Sequence, residues 1–150
     1  RDAQESRGLG DVYKRQGSPA SSPHLVSEVK RLKSDPSFYG DFLDQSHMCV
    51  ENLIQAFKTN NIKGVQKMVR QNRTIIQSMD SEAAVDIETD MLKKLCDIGE
   101  KHGGASKTSG AGGGDCGITI INNVIDKKVI YDEWRVTGIK PLEFKIYHGQ

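Results

Sequence analysis

GGASKTSGAGGGDCGITII, residues 103–121, holds seven of the chain's 15 glycines and runs straight into β-branched residues. Glycine loses more conformational entropy on folding than any other residue, so this density is costly unless the backbone must approach something closely. A phosphate is the usual object, because successive backbone N–H groups make a concave anion site. Two common phosphate loops fail their own requirements. A Walker A loop needs glycine directly before its lysine, and here Ser106 precedes Lys107. The string Gly112-Gly113-Gly114-Asp115-Cys116-Gly117 has the GxGxxG spacing, but a dinucleotide fingerprint opens a helix, whereas this one leads into a strand. A flexible linker fits poorly between a capped helix and a core strand. The plain structural reading, a tight turn between two strands, stands beside the phosphate reading.

Outward from this loop, helix signals dominate. Upstream, Thr89 is the N-cap of a helix carrying Met91, Leu92, Leu95 and Ile98, and the basic, glycine-ended GEKHGG (99–104) terminates it. Before it, Val85 and Ile87 alternate like an extended connector. A helix from about Ile62 has Val65, Met68, Val69, Ile75, Ile76 and Met79 in register. Thr59-Asn60-Asn61 separates it from a helix that starts at Asp35-Pro36 and runs to about Lys58. Tyr39, Phe42, Leu43, Val50, Leu53, Ile54 and Phe57 are read as its apolar residues. Ser22-Pro23 opens a first helix with Leu25, Val26, Val29 and Leu32 on one side. Downstream come a strand at about 117–122, a short helix at 127–137 with Ile130 and Trp134 on one side, and the alternating PLEFKIYHG (141–149), read as a half-buried strand. The class is α+β: helices packed on a small, mostly antiparallel sheet.

Composition removes several functions. The 150 residues carry 21 Lys and Arg against 20 Asp and Glu, a net charge of +1, which argues against a nucleic-acid binder built on a basic face. No apolar run reaches the length of a membrane span. Cys49, Cys96 and Cys116 lack metal or redox spacing and read as reduced, packed thiols, which suits a cytoplasmic setting; His24, His47, His102 and His148 are scattered, so no metal site is expected. RDAQESRGLGDVYKRQ (1–16) has neither helical nor strand period and resembles translated adapter sequence. The native protein is therefore expected to begin near Gly17, as one domain over 17–150.

The loop GGASKTSGAGGGDCGI resembles the third conserved motif of the GHMP kinases. With Asp115 in place of a further glycine, it is similar to the phosphomevalonate kinase branch of that superfamily. GSPASS (17–22) resembles the end of that branch's Gly-Trp-Thr-Gly-Ser-Pro-Ala-Ser segment, and DEWRVTGIKPL (132–142) resembles its Trp-x-x-x-Gly-Ile-x-Pro-Leu tail. The resemblance covers about 17–150 and implies the ferredoxin-like C-terminal domain of a two-domain enzyme. The family's main nucleotide loop, Pro-x-x-Gly-Leu-Gly-Ser-Ser, does not occur here, and neither do the Lys and Asp that are its catalytic candidates. The resemblance thus implies a fragment without catalytic residues, inactive alone and missing its N-terminal kinase domain.

In the intact enzyme the resemblance implies ATP with Mg2+ as phosphoryl donor and (R)-5-phosphomevalonate as acceptor, with neither nucleotide nor metal bound by this fragment alone. Ser109, Gly110, Ala111, Gly112 and Gly113 would line the cleft. Lys107 would neutralise phosphate charge, or else be solvated surface. Ser18 and Ser21, at a helix entrance, are candidates for the substrate phosphate. Arg73 suits bidentate phosphate contact, with a surface salt bridge as its simpler role. Asp115 would hold the loop's conformation by accepting backbone N–H bonds. Trp134 reads as core. A mevalonate kinase-like enzyme is the alternative within the superfamily, and a non-catalytic metabolite-binding or dimerising module, compatible with a homodimer, is the alternative outside it.

Overall fold

The structure, a computed structural model, describes residues 26–27, 30–110 and 116–142. Within them, a single 3-10 turn at Leu32–Ser34 precedes α1 (Pro36–Lys58), α2 (Ile62–Ala83), α3 (Asp90–Lys101), β1 (Ala105–Thr108), β2 (Gly117–Ile120) and α4 (Lys127–Val136). Local chemistry sets the helix starts. The Asp35 carboxylate accepts from Ser37 N and Phe38 N with Pro36 at the first helical position. Asn61 Oδ1 accepts from Gly64 N, Thr89 Oγ1 from Leu92 N, and Asp126 from Lys128 N. Thr59-Asn60-Asn61 does separate α1 from α2, with Asn60 at φ 51°.

The sheet is an antiparallel pair in which Ala105 faces Ile120, Ser106 faces Thr119, Lys107 faces Ile118 and Thr108 faces Gly117. Because side chains alternate across a strand, the two sheet faces bear different cores. Ala105 and Ile120 pack with Ala56, Val65 and Val69 of α1 and α2. Ile121 packs with Leu95, Cys96 and Ile98 of α3 and with Ile130, Tyr131 and Trp134 of α4. Trp134, fully buried, donates from Nε1 to the Leu95 carbonyl at 3.0 Å, so its one polar atom is satisfied in the core.

Four expectations need amendment. ASKT at 105–108 is a strand, not part of a long loop. The second apolar helix, α2, continues to Ala83, where Ala84 ends it with φ 51°. Val26 is exposed while Leu32 is buried. In α1, Leu43, Val50, Ile54 and Phe57 face outward; the buried residues are Cys49 and Ala56, with Phe42 and Leu53 half-buried beside them. The start of the first helix, the 1–16 segment and residues 143–150 of the last strand lie outside the described residues. Among those described, no helix is long and apolar enough to cross a membrane.

Candidate functional site

The glycine-rich segment is the connection of the β1–β2 hairpin. Ser109 N donates to the Cys116 carbonyl at 2.9 Å, closing the ladder one residue beyond Thr108 and Gly117. The connection between the strands of this two-stranded platform, residues 110–115, is therefore longer than a tight two-residue turn. Gly110 leaves the platform at φ 76°, a left-handed conformation that disfavours side-chain-bearing residues. Ala111, Gly112, Gly113 and Asp115 lie outside the described residues, as do Ser18 and Ser21.

The platform is held close to α3. A Cβ built on Gly99 would meet Ser106 Oγ and would stand 2.6 Å from Thr119 Oγ1, so only glycine lets the helix backbone reach the strands. Under that contact Ser106 Oγ and Thr119 Oγ1 share a buried hydrogen bond of 2.8 Å. The end of the hairpin remote from the loop is clamped by polar side chains. Gln66 Nε2 donates to Ile120 O at 3.0 Å and Gly103 O at 3.2 Å, and Arg70 Nη2 donates to Gly104 O at 2.6 Å. Glu100 takes Arg70 Nε at 2.7 Å and, through its other oxygen, Ser106 N at 3.0 Å.

The loop end is different. Lys107 is half-buried, on the sheet face towards α1 and α2, and its Nζ donates to the Thr108 carbonyl at 2.6 Å. Burial lowers the Lys107 pKa from its ordinary value, because an ammonium is costly to desolvate. It is therefore neither solvated surface nor free of the protein. Next to it, Thr108 is buried, and its Oγ1 has no hydrogen-bond partner among the described residues. An unmet buried hydroxyl costs about 1–3 kcal/mol, and this one lies at the root of the loop. Thr108 was not singled out from sequence; only burial distinguishes it.

Arg73 lies in a different constellation. Its guanidinium binds Glu88 in fork fashion (Nε to Oε2 2.9 Å, Nη2 to Oε1 2.5 Å) and reaches Asp97 Oδ1 at 3.0 Å. Its side chain is 13% exposed and that of Glu88 only 3%. Hydrogen bonding to Glu88 raises the arginine's pKa further. Gln77 also donates to Glu88, while Asp80 accepts from Ile87 N and Glu88 N at 2.7 and 2.9 Å. The surface-salt-bridge reading of Arg73 is thus right in kind but too weak: it is a largely buried brace between α2, the 84–89 connector and α3. Phosphate contact would compete with both carboxylates.

Cys96 and Cys49 are buried free thiols. Burial pushes Cys96 up to about 12 and raises Cys49 as well, which keeps both protonated and inert. Among the described residues no three His, Cys, Asp or Glu side chains gather as a metal site.

A glycine-rich hairpin loop standing on such a platform, in this order of elements, matches a known domain. Residues 53–139 fit the family described as GHMP kinases C terminal. The chain belongs to the GHMP kinase family. It is 32% identical over 129 residues to phosphomevalonate kinase from Streptomyces sp. (strain CL190), covering 84% of this chain and 34% of that enzyme. It is 30% identical over 138 residues to mevalonate kinase from Candida albicans (strain SC5314 / ATCC MYA-2876), covering 83% of this chain and 30% of that one. The Lin0012 protein from Listeria innocua, a crystal structure, superposes with a TM-score of 0.86 at 34% identity, over 99% of this chain and 43% of its own. As a GHMP kinase C-terminal domain, the chain spans about a third of the length of the curated relatives it matches.

Proposed function

We propose that this chain is the C-terminal part of a phosphomevalonate kinase, whose whole form moves the γ-phosphoryl group of ATP to the phosphate of (R)-5-phosphomevalonate. A phosphate oxygen of the acceptor attacks the γ-phosphorus, the bond to the β-bridging oxygen breaks, and ADP leaves with 5-diphosphomevalonate as product. Phosphoryl transfer relies on positioning and charge neutralisation rather than on covalent chemistry by the protein. The loop supplies both in part: Ser109, Gly110, Ala111, Gly112 and Gly113 offer backbone N–H groups to phosphate oxygens, and Lys107 holds a positive charge at its root. Ser18 and Ser21 would meet the acceptor phosphate, and Asp115 would fix the loop. Arg73 serves better as a brace than as a ligand.

The observation that carries this reading is the glycine-rich hairpin loop closed by the Ser109–Cys116 bond, in a chain 32% identical to a phosphomevalonate kinase. Residues that would bind magnesium and the catalytic groups would belong to an N-terminal domain preceding Gly17, as the family resemblance implies. The test is to read the source DNA upstream of the Gln16–Gly17 junction, express the whole protein and follow ADP release. Release with phosphomevalonate, and none with mevalonate, is the expected result. Turnover of mevalonate instead would favour the second reading, a mevalonate kinase, which the 30% identity to the Candida enzyme supports. A start codon at the junction would leave a binding module.

A further inference from the structure

Two buried hydroxyl groups of β1 differ in what stands opposite them. Side chains alternate along a strand, so Ser106 and Thr108 share the sheet face that Gly99 of α3 approaches. Across the ladder Ser106 faces Thr119, and their hydroxyls bond each other at 2.8 Å. Thr108 faces Gly117, which has no side chain to offer. A Cβ on Gly117 would stand 2.7 Å from Leu95 Cδ2, so the leucine fills the space that a partner side chain would need. Thr108 is 1% exposed, and its Oγ1 has no hydrogen-bond partner among the described residues. For folding alone valine is the better residue, since it has the same branched shape, suits a strand and carries no polar atom to desolvate.

The function proposed above, on which this inference rests, offers the Ser109 N–H to a phosphate oxygen. In the free chain that N–H donates to the Cys116 carbonyl as the last rung of the ladder. Turning it to phosphate takes a donor from that carbonyl, which weakens binding unless another donor replaces it. Thr108 directly precedes Ser109, and its cross-strand partner Gly117 directly follows Cys116, so the unmatched hydroxyl adjoins this same rung. We propose that Thr108 is a positioning residue for phosphoryl transfer: its O–H takes over the Cys116 carbonyl when the Ser109 N–H turns to phosphate. The exchange is a rotation of one side chain, and the rung stays closed while its amide is released. Because the hydroxyl bonds nothing in the free chain, the bond it makes favours the phosphate-bound state alone.

The test uses the whole kinase carrying Thr108→Val or Thr108→Ser. Without ligand, the thermal midpoint of Thr108→Val is expected to equal or exceed that of the wild type. Its kcat/KM falls about tenfold or more, chiefly through KM. The rise is in the KM for phosphomevalonate if the acceptor's phosphate is the one held by Ser109, and in the KM for ATP if it is the nucleotide's. Thr108→Ser keeps the hydroxyl and stays within about threefold of wild type. A Thr108→Val enzyme with wild-type kcat and KM for both substrates overturns the proposal. So does a ligand-free midpoint that falls, because the hydroxyl is then in use without phosphate. A Thr108→Ser enzyme as impaired as the valine variant overturns it too. Which acceptor the wild type turns over decides the function proposed above, whereas the ratio of variant to wild type decides the role of Thr108 with either acceptor.

Discussion

The two ends of the β1–β2 hairpin are held by different means. At the Ala105 end, Gln66, Arg70 and Glu100 bond the backbone at Gly103, Gly104, Ser106 and Ile120, and Gly99 brings α3 into direct contact. At the Thr108 end, the described residues provide one closing bond from Ser109 to Cys116, a half-buried lysine on the adjacent carbonyl, and an unmatched Thr108 hydroxyl. One end is saturated and carries stability. The other keeps an unmatched buried hydroxyl, at the end where the function proposed above places a charged ligand. Stability and ligand affinity are therefore expected to respond to different substitutions.

The largest effect is expected at the brace that fixes α2 to α3. Arg73→Ala strands Glu88 in a buried position and lowers unfolding free energy by about 3–5 kcal/mol in urea titration. Arg73→Met combined with Glu88→Leu loses much less, because no buried charge is left alone. Equal losses for the two would mean that Arg73 acts through something other than Glu88. Next comes the saturated end: Gly99→Ala costs about 1–3 kcal/mol by the same measurement, despite the higher helix propensity of alanine, because its Cβ meets Ser106 and Thr119.

Lys107→Met probes the loop end and sharpens the contrast. Removing a partly desolvated ammonium raises stability by about 1 kcal/mol, since an apolar chain of similar length fills the same space without a charge. The same change weakens phosphomevalonate binding by the whole enzyme, read by calorimetry. A Lys107→Met protein that loses stability while keeping affinity would reverse the roles assigned to the two ends.

The smallest effect is electrostatic and remote from both. Hydrogen bonds first from Lys101 and then from His102 hold the Glu133 carboxyl below its ordinary value of 4.5 and tie the end of α3 to α4. A depressed folded-state value gives stability above the unfolded value that is lost as pH falls through the folded one. Thermal midpoints of the wild type and of Glu133→Gln should therefore differ slightly at neutral pH and converge in acid. A difference that persists in acid would exclude this ion pair as its source.

Much of this chain was legible because it is decided locally. Asp35-Pro36, Thr89 and the Asn61 turn announce helix ends through bonds spanning two or three residues, and α2 shows its buried face in its own periodicity. The glycine-rich loop, too, is visible as composition. Tertiary structure alone decided the rest. Ala105-Ser106-Lys107-Thr108 has little strand character of its own; it is a strand because residues 30 or more positions earlier on α2 bond the glycines at its start while Glu100 covers its edge. Both stripes of α1 are apolar, so periodicity could not say which packs against the sheet. Arg73 became a brace because Glu88 and Asp97, 15 and 24 residues away, reach it. Caps and periods depend on neighbours along the chain, whereas strand pairing, face selection and buried charge depend on partners that only folding brings together.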